Sequence, residues 1–253
     1  MAMAEQAVSA VEETLVGLPA RLAKMIEPRA PQLAKFVAAV DIDSPLVLSF
    51  AGACTLVHLL GAVLGFTQFE AAYFSVPSGI SRFRPLSPLS YFRLVSHVFG
   101  HVTWEHLNGN MVNLLLVGPA CEREFGSFAL GKIVLWTALF SALAHMALGA
   151  ANAAQLGASG VVFMLILLNS LLEVRQNRLP LTFVVQVGLW VNKEVIAQLW
   201  SHDKTSHVAH LAGALVGTVA GYQLHGEQIK SKAKAIGQAW HKRAAAAGKS
   251  KAG

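Results

Sequence analysis

Six stretches of this chain are apolar for long enough to cross all or part of a lipid bilayer. They run over residues 46–66, 107–121, 128–150, 156–172, 181–200 and 208–224. A crossing helix needs about 20 apolar residues, and a backbone in hydrocarbon must satisfy its own hydrogen bonds, so each stretch predicts a helix. The fifth stretch is interrupted by Asn192, Lys193 and Glu194. The sequence therefore predicts an all-α membrane protein with six transmembrane helices.

The composition agrees with a membrane protein. Of the 253 residues, 54% are hydrophobic and 13% are charged, whereas about a quarter of the residues in a soluble domain are charged. So few polar side chains cannot cover a globule of this size in water. This excludes a soluble enzyme, a disordered chain and a nucleic-acid-binding module, so no nucleic-acid partner is expected.

The basic residues indicate an orientation and three regions. If both termini are cytoplasmic, the cytoplasmic segments hold 14 of the 20 Lys and Arg residues, as the positive-inside rule requires. We predict a cytoplasmic N-terminal tail over 1–45, a six-helix core over 46–225 and a basic C-terminal tail over 226–253. The acidic residues of the N-terminal tail do not match a signal peptide.

The loop between the first two predicted helices covers residues 67–106 and is unusually long. It contains Pro77, Pro85 and Pro88 together with aromatic residues that include Tyr73, Phe74, Phe83, Tyr91 and Phe92. A loop of this length is usually functional or disordered, and its aromatic and Arg content favours a structure partly embedded in the membrane interface.

Four polar side chains fall near the starts of three predicted helices that begin at the same membrane face. His106 and Asn110 begin the second helix, Ser159 the fourth and His210 the sixth. At a rise of about 1.5 Å per residue, each lies within one to two turns of its helix start. Because polar groups inside a membrane are costly and mark functional sites, this shared depth predicts a site.

Ser159 and His210 have the surroundings that a nucleophile and its base require. Gly157 and Gly160 flank Ser159, and a helix start supplies free N–H groups and a positive dipole end. His210 lies on the same helical face as Gly213, Gly217 and Gly221, and small residues at this spacing let membrane helices touch.

If the helix of His210 packs against that of Ser159, the two form a Ser–His dyad. The alternatives are a serine bonded to its own backbone and a buried histidine over a packing face. No third triad member is evident, although Glu105 and Glu194 remain possible orienting residues.

His106 and Asn110 are spaced i,i+4 and carry side-chain N–H donors that can stabilise a developing oxyanion. The alternative is ordinary polarity at a helix start. A metal site built from His97, His101, His106, His207 and His210 is a further alternative, because His97 and His101 have the spacing of helical ligands. The chain has no HExxH motif, and carboxylates do not cluster with these histidines, so neither a metal nor a cofactor is expected.

Five ordered motifs resemble those of the rhomboid intramembrane serine proteases, over residues 46–225. They are Tyr91-Phe92-Arg93, then His101 followed by His106 and Asn110, Glu122-Arg123 with Gly126, Gly157-Ala158-Ser159-Gly160, and Ala209-His210 with Gly213 and Gly217. The resemblance implies a six-helix bundle with a partly embedded first loop and a mobile fifth helix.

By this resemblance, Ser159 is the nucleophile and His210 the base, while His106, Asn110 and the Ser159 N–H hold the oxyanion. Phe163 stands where the family often has a Tyr whose ring stacks on the catalytic histidine. The implied activity is cleavage of transmembrane segments of single-pass or other membrane proteins within the bilayer. The alternatives are an inactive rhomboid-like protein that binds membrane clients, in which Ser or His would be lost, and more distantly a transporter or channel.

Overall fold

The computed structural model describes residues 2–63 and 68–172, and after them residues 181, 184, 185, 188, 210–213, 215–217, 219, 220 and 223. Up to residue 172, the described α-helices are α1 (Ala2–Val16), α2 (Leu18–Ile26), α3 (Pro31–Ala38), α4 (Pro45–Val63), α5 (Phe69–Tyr73), α6 (Pro88–Ser96), α7 (Trp104–Phe125), α8 (Ser127–Leu148) and α9 (Ser159–Leu172). The described residues from 210 to 223 are also helical. We call them the His210 helix. The predicted fifth helix with Lys193 and Glu194, and the basic C-terminal tail, lie largely or wholly outside the described residues.

Two of the described helices, α4 and α8, are long and apolar enough to cross a membrane, and α9 is a shorter apolar helix. Large apolar side chains on their outer surfaces are exposed, among them Leu56 of α4 and Trp136 and Phe140 of α8. α7 has 22 residues but carries charged side chains at both ends. The first four predicted helices therefore correspond to α4, α7, α8 and α9, while the count of six remains a prediction.

The core lies between these four helices. Each contributes fully buried side chains to one cluster, including Cys54, Leu114, Leu130 and Leu165. The approach of α4 to α7 is close at Gly118, where an added Cβ would lie 2.8 Å from Cγ2 of Val47. Dense packing of this kind fixes the helix starts relative to one another.

Glu122 joins the end of α7 to the start of α4. Its buried carboxylate accepts hydrogen bonds from the backbone N–H groups of Leu46 (2.8 Å) and Val47 (2.9 Å) and from Oγ of Ser127 (2.5 Å). The first N–H groups of a helix have no intrahelical acceptor, so this side chain caps α4. Arg123 makes an exposed ion pair with Asp43 at 3.0 Å.

The long loop between α4 and α7 is folded. Besides α5 and α6 it contains strand β1 (Val76–Pro77), which pairs antiparallel with β2 (Ala154–Gln155) so that Val76 faces Gln155. Nε of Arg93 donates to the carbonyl of Ala72 at 3.0 Å and thereby ties α6 to α5. The loop is thus attached to the segment that leads into α9. Its embedding in the membrane interface remains a prediction.

Two expectations from the sequence are wrong in detail. The fourth helix begins at Ser159 rather than at residue 156, because β2 and a left-handed Gly157 (φ +123°) precede it. His97 and His101 do not share a helix, since His97 lies in a 3-10 turn that ends in extended backbone at Gly100. The three helices within the N-terminal tail were not predicted.

Candidate active site

Ser159 is the first residue of α9, and the segment before it is held by the long loop. The N–H of Gly157 donates to the carbonyl of His97 at 2.9 Å, and that of Ala158 donates to Nε2 of His101 at 3.4 Å. Ser159 itself is half-buried. Its hydroxyl therefore stands at a helix start whose leading N–H groups have no partner within the helix.

His210 lies directly beside this hydroxyl. Its Nε2 is 2.7 Å from Oγ of Ser159, and only 7% of the residue is exposed. The ring of Phe163, one turn along α9, lies 4.8 Å from the imidazole at an angle of 49°. The Phe–His contact expected from the sequence is present, with tilted rather than parallel rings. A neutral imidazole with an acceptor nitrogen at this distance can take the hydroxyl proton.

Two glycines bring the His210 helix against α9. A Cβ added at Gly213 would overlap the carbonyl oxygen of Gly160, and one at Gly217 would lie 2.7 Å from that of Met164. Only residues without a side chain permit this backbone contact. The approach that the glycine spacing predicts is therefore present, and it accounts for the distance between His210 and Ser159.

His106 and Asn110 of α7 face the turn that precedes Ser159. A Cβ added at Gly157 would lie 2.9 Å from Nε2 of His106 and 3.8 Å from Nδ2 of Asn110. Asn110 is 7% exposed, and its Nδ2 has no hydrogen-bond acceptor among the described residues. A buried donor without an acceptor is unfavourable in a resting protein and is suited to an oxygen that arrives with a substrate.

His101 and His97 support the site as neutral side chains. In His101, Nδ1–H donates to the carbonyl of Phe99 at 3.2 Å, which leaves Nε2 as the acceptor for Ala158 N–H. In His97, Nδ1–H donates to the carbonyl of Arg93 at 3.2 Å, and Nε2 accepts from Nε2 of Gln155 at 3.2 Å. Burial lowers the pKa of both imidazoles from 6.5 to about 4.

Among the described residues, no three His, Cys, Asp or Glu side chains are arranged to hold a metal ion. In addition, both ring nitrogens of His97 and His101 already have protein partners. His207 of the alternative metal site lies outside the described residues.

Glu70 of α5 is a supporting residue that the sequence analysis missed. Its carboxylate accepts hydrogen bonds from Nδ1 of His58 at 2.7 Å and from the backbone N–H of His101. His58 also contacts the carbonyl of His101 at 3.2 Å. Glu70 therefore holds the N–H of His101 and His58 contacts its carbonyl. The ring of the same histidine accepts from the N–H of Ala158, next to Ser159. A lone Glu beside an apolar stretch gives no motif by which to find it.

The remaining predicted residues lie away from the reacting groups. Arg93 fixes the loop, while Glu122 and Arg123 join α7 to the start of α4. Glu105 is exposed at the start of α7.

Comparison with known proteins agrees with this fold. A profile of the Rhomboid domain matches residues 88–227. Rhomboid-like protein 11, chloroplastic, from Arabidopsis thaliana is 31% identical over 143 residues, which cover 51% of this chain and 51% of the relative. Rhomboid protease GlpG from Serratia proteamaculans is 27% identical over 193 residues, covering 73% and 66%. RHOMBOID-like protein 12, mitochondrial, from Arabidopsis thaliana is 30% identical over 150 residues, covering 50% and 44%.

The chain belongs to the rhomboid family, and its helices form the membrane fold of that family. It spans about half the length of the first curated relatives that it matches.

Proposed function

We propose that the protein is an intramembrane serine endopeptidase that cleaves transmembrane segments of other membrane proteins through a Ser159–His210 dyad. The observation that carries this proposal is the 2.7 Å distance between Nε2 of His210 and Oγ of Ser159. Membership of a family that includes a named protease supports it further.

In the proposed reaction, Oγ of Ser159 attacks the peptide carbonyl carbon while Nε2 of His210 takes the hydroxyl proton. The carbonyl oxygen becomes an oxyanion, which accepts hydrogen bonds from the Ser159 N–H and the side chains of His106 and Asn110. His210 then gives its proton to the leaving amine, so the peptide bond breaks and an acyl-enzyme remains. Water, activated by the same imidazole, releases the acid and restores Ser159.

The proposed architecture is six transmembrane helices over residues 46–225, with cytoplasmic tails over 1–45 and 226–253. Its substrates would be single-pass or other membrane proteins, which reach the site from the bilayer. The described residues 181, 184, 185 and 188, and those of the His210 helix, are helical, which is consistent with a fifth and a sixth helix.

Fluorophosphonate labelling of the purified protein tests the dyad, because the probe reacts with an activated serine. We expect labelling of the native chain and none of Ser159→Ala, and a strong reduction in His210→Ala. Ser170→Ala is the matched control, since Ser170 is a buried serine of α9 that bonds the carbonyl of Ile166 in its own helix at 2.7 Å.

Labelling of both native protein and Ser159→Ala, or of neither, would contradict the proposal. The second outcome would favour a rhomboid-like protein that binds membrane clients without cleaving them.

A further inference from the structure

The helical hairpin formed by α2 and α3 buries small side chains and exposes large ones. Ala23 and Ala34 are 7% and 5% exposed where the two helices pack, whereas Met25 is 74% and Phe36 is 69% exposed. A hairpin in water would bury its largest apolar side chains first. This inverted arrangement indicates that another apolar phase covers the hairpin.

The exposed apolar side chains form one stripe on each helix. On α2 they are spaced i, i+4 and i+7, and on the segment that begins with α3 they are spaced i, i+3 and i+7. The members are Leu18, Leu22 and Met25, followed by Leu33, Phe36 and Val40. These spacings place Leu18, Leu22 and Met25 on one face of α2 and Leu33 and Phe36 on one face of α3, while Val40 lies two residues beyond the end of α3.

The charges of the hairpin have the sign that suits an anionic surface. Between residues 17 and 40 the basic side chains are Arg21, Lys24, Arg29 and Lys35, and Glu27 is the acidic one, so the segment has a net charge of +3. Arg21 and Lys24 are exposed beside the apolar stripe of α2. Long basic side chains can keep their charged ends at phosphate level while their stems lie along apolar surface.

The hairpin is also held close to the membrane end of the bundle. Six residues separate α3 from α4, and within them Asp43 pairs with Arg123 in the last turn of α7. On the other side, α1 packs beside the first turn of α4 across an apolar cleft of about 300 Å³ lined by Val8, Val11 and Leu46. The hairpin therefore lies at the level where α4 enters the bilayer.

We propose that α2 and α3 dock on the anionic lipid surface at the membrane face where α4 begins, with the six apolar side chains inserted among the lipids. The occupant is lipid and not a second copy of the chain, because the stripes are flanked by bases that a like-charged copy would repel. This inference does not depend on the proposed protease activity.

Spin labels on the full-length chain test this docking. Met25→Cys and Phe36→Cys carry the label on the apolar stripes, and Ala20→Cys and Ala38→Cys carry it on the exposed opposite faces of the same helices. The native chain is the blank, since Cys54 and Cys121 are buried. The protein is placed one copy per nanodisc, and collision of the label with oxygen, which enters lipid, is compared with collision with a water-soluble nickel chelate.

In nanodiscs that contain phosphatidylglycerol, we expect oxygen access to exceed nickel access several-fold at positions 25 and 36, and the reverse at 20 and 38. We also expect Arg21→Gln, Lys24→Gln and Lys35→Gln together to raise nickel access at positions 25 and 36. Equal nickel access at all four labels would overturn the proposal. So would shielding that appears only when two copies share a disc, or shielding that is unchanged in purely zwitterionic lipid.

Discussion

The proposed chemistry uses a side-chain donor that has no acceptor among the described residues. Asn110 is the clearest case, because its buried Nδ2 lies beside the turn at Gly157 with no acceptor among the described residues. A donor prepared in this way can stabilise charge that forms on a substrate oxygen without first breaking a bond within the protein.

Asn110→Ala should therefore slow peptide cleavage by roughly 10²–10³ and leave the fold intact. Stability should be retained because removing a donor that has no partner leaves no other group unsatisfied. The measurements are kcat for a transmembrane substrate and the Tm in detergent. Asn113→Ala is the control, since Asn113 lies on the exposed side of α7 and bonds the carbonyl of Gly109. An unchanged rate in Asn110→Ala would remove this residue from the oxyanion role.

Acidification should destabilise the protein through His97 and His101. Their folded-state pKa of about 4 lies below the 6.5 of the unfolded chain, so between these values the unfolded state binds more protons. The free energy of unfolding is therefore not reduced by these histidines above pH 6.5. It falls as the pH drops towards 4, by about 2 kcal/mol per histidine near pH 5.

The measurement is the Tm in detergent near pH 7 and near pH 5, compared between the native chain and His97→Gln. The variant should lose less stability on acidification, because glutamine does not titrate. Equal Tm values for the native chain at the two pH values would contradict the prediction.

Among the elements, the long loop positions the start of α9. β1 pairs with β2, and the backbone of His101 is held by Glu70 and His58 on one side while its ring accepts from Ala158 on the other. The positions of the residues around Ser159 therefore depend on α5, which lies outside every motif recognised in the sequence.

Glu70→Gln should reduce the rate of fluorophosphonate labelling per folded molecule about tenfold, because it weakens charge-assisted bonds to His58 and His101. Glu70→Asp, which keeps the charge, should retain more of the rate, and Glu13→Gln on the exposed face of α1 should change nothing. If Glu70 were only structural, its variants would lower the Tm while the labelling rate of the folded fraction stayed constant.

The contact between α9 and the His210 helix leaves no space for a side chain at Gly213. Gly213→Ala should cost about 1–3 kcal/mol of stability and abolish most labelling, because the two backbones must separate and lengthen the Ser159–His210 distance. Gly52→Ala is the control, since a Cβ at Gly52 of α4 meets nothing within 4 Å. Labelling of Gly213→Ala at the native rate would show that the close contact is not required.

How far the sequence predicts these elements depends on how local their signals are. The helices α4, α7, α8 and α9 follow from apolar stretches, and the meeting of His106, Asn110, Ser159 and His210 follows from their similar positions along those helices. The left-handed turn at Gly157 was not predicted, because β2 pairs with a strand more than 70 residues away in the sequence. Glu70 was missed for the same reason, since its partners come from α4 and from the residues before α7.

On the scale of the molecule, the packed helical core extends beyond the residues that match the Rhomboid domain profile. The matched region begins at residue 88, whereas α4 contributes to the central core and α5 provides Glu70. The proposed core over 46–225 includes both. The helices α1–α3 precede this unit and have their own inferred role at the lipid surface.

The separation of Ser159 and His210 along the chain has a consequence for synthesis. They are 51 residues apart, and His210 comes from the last described helix. When a ribosome has synthesised the chain up to the end of α9, the nascent protein contains Ser159 but not yet His210. The proposed enzyme would therefore stay inert towards neighbouring nascent proteins until its own insertion is nearly finished.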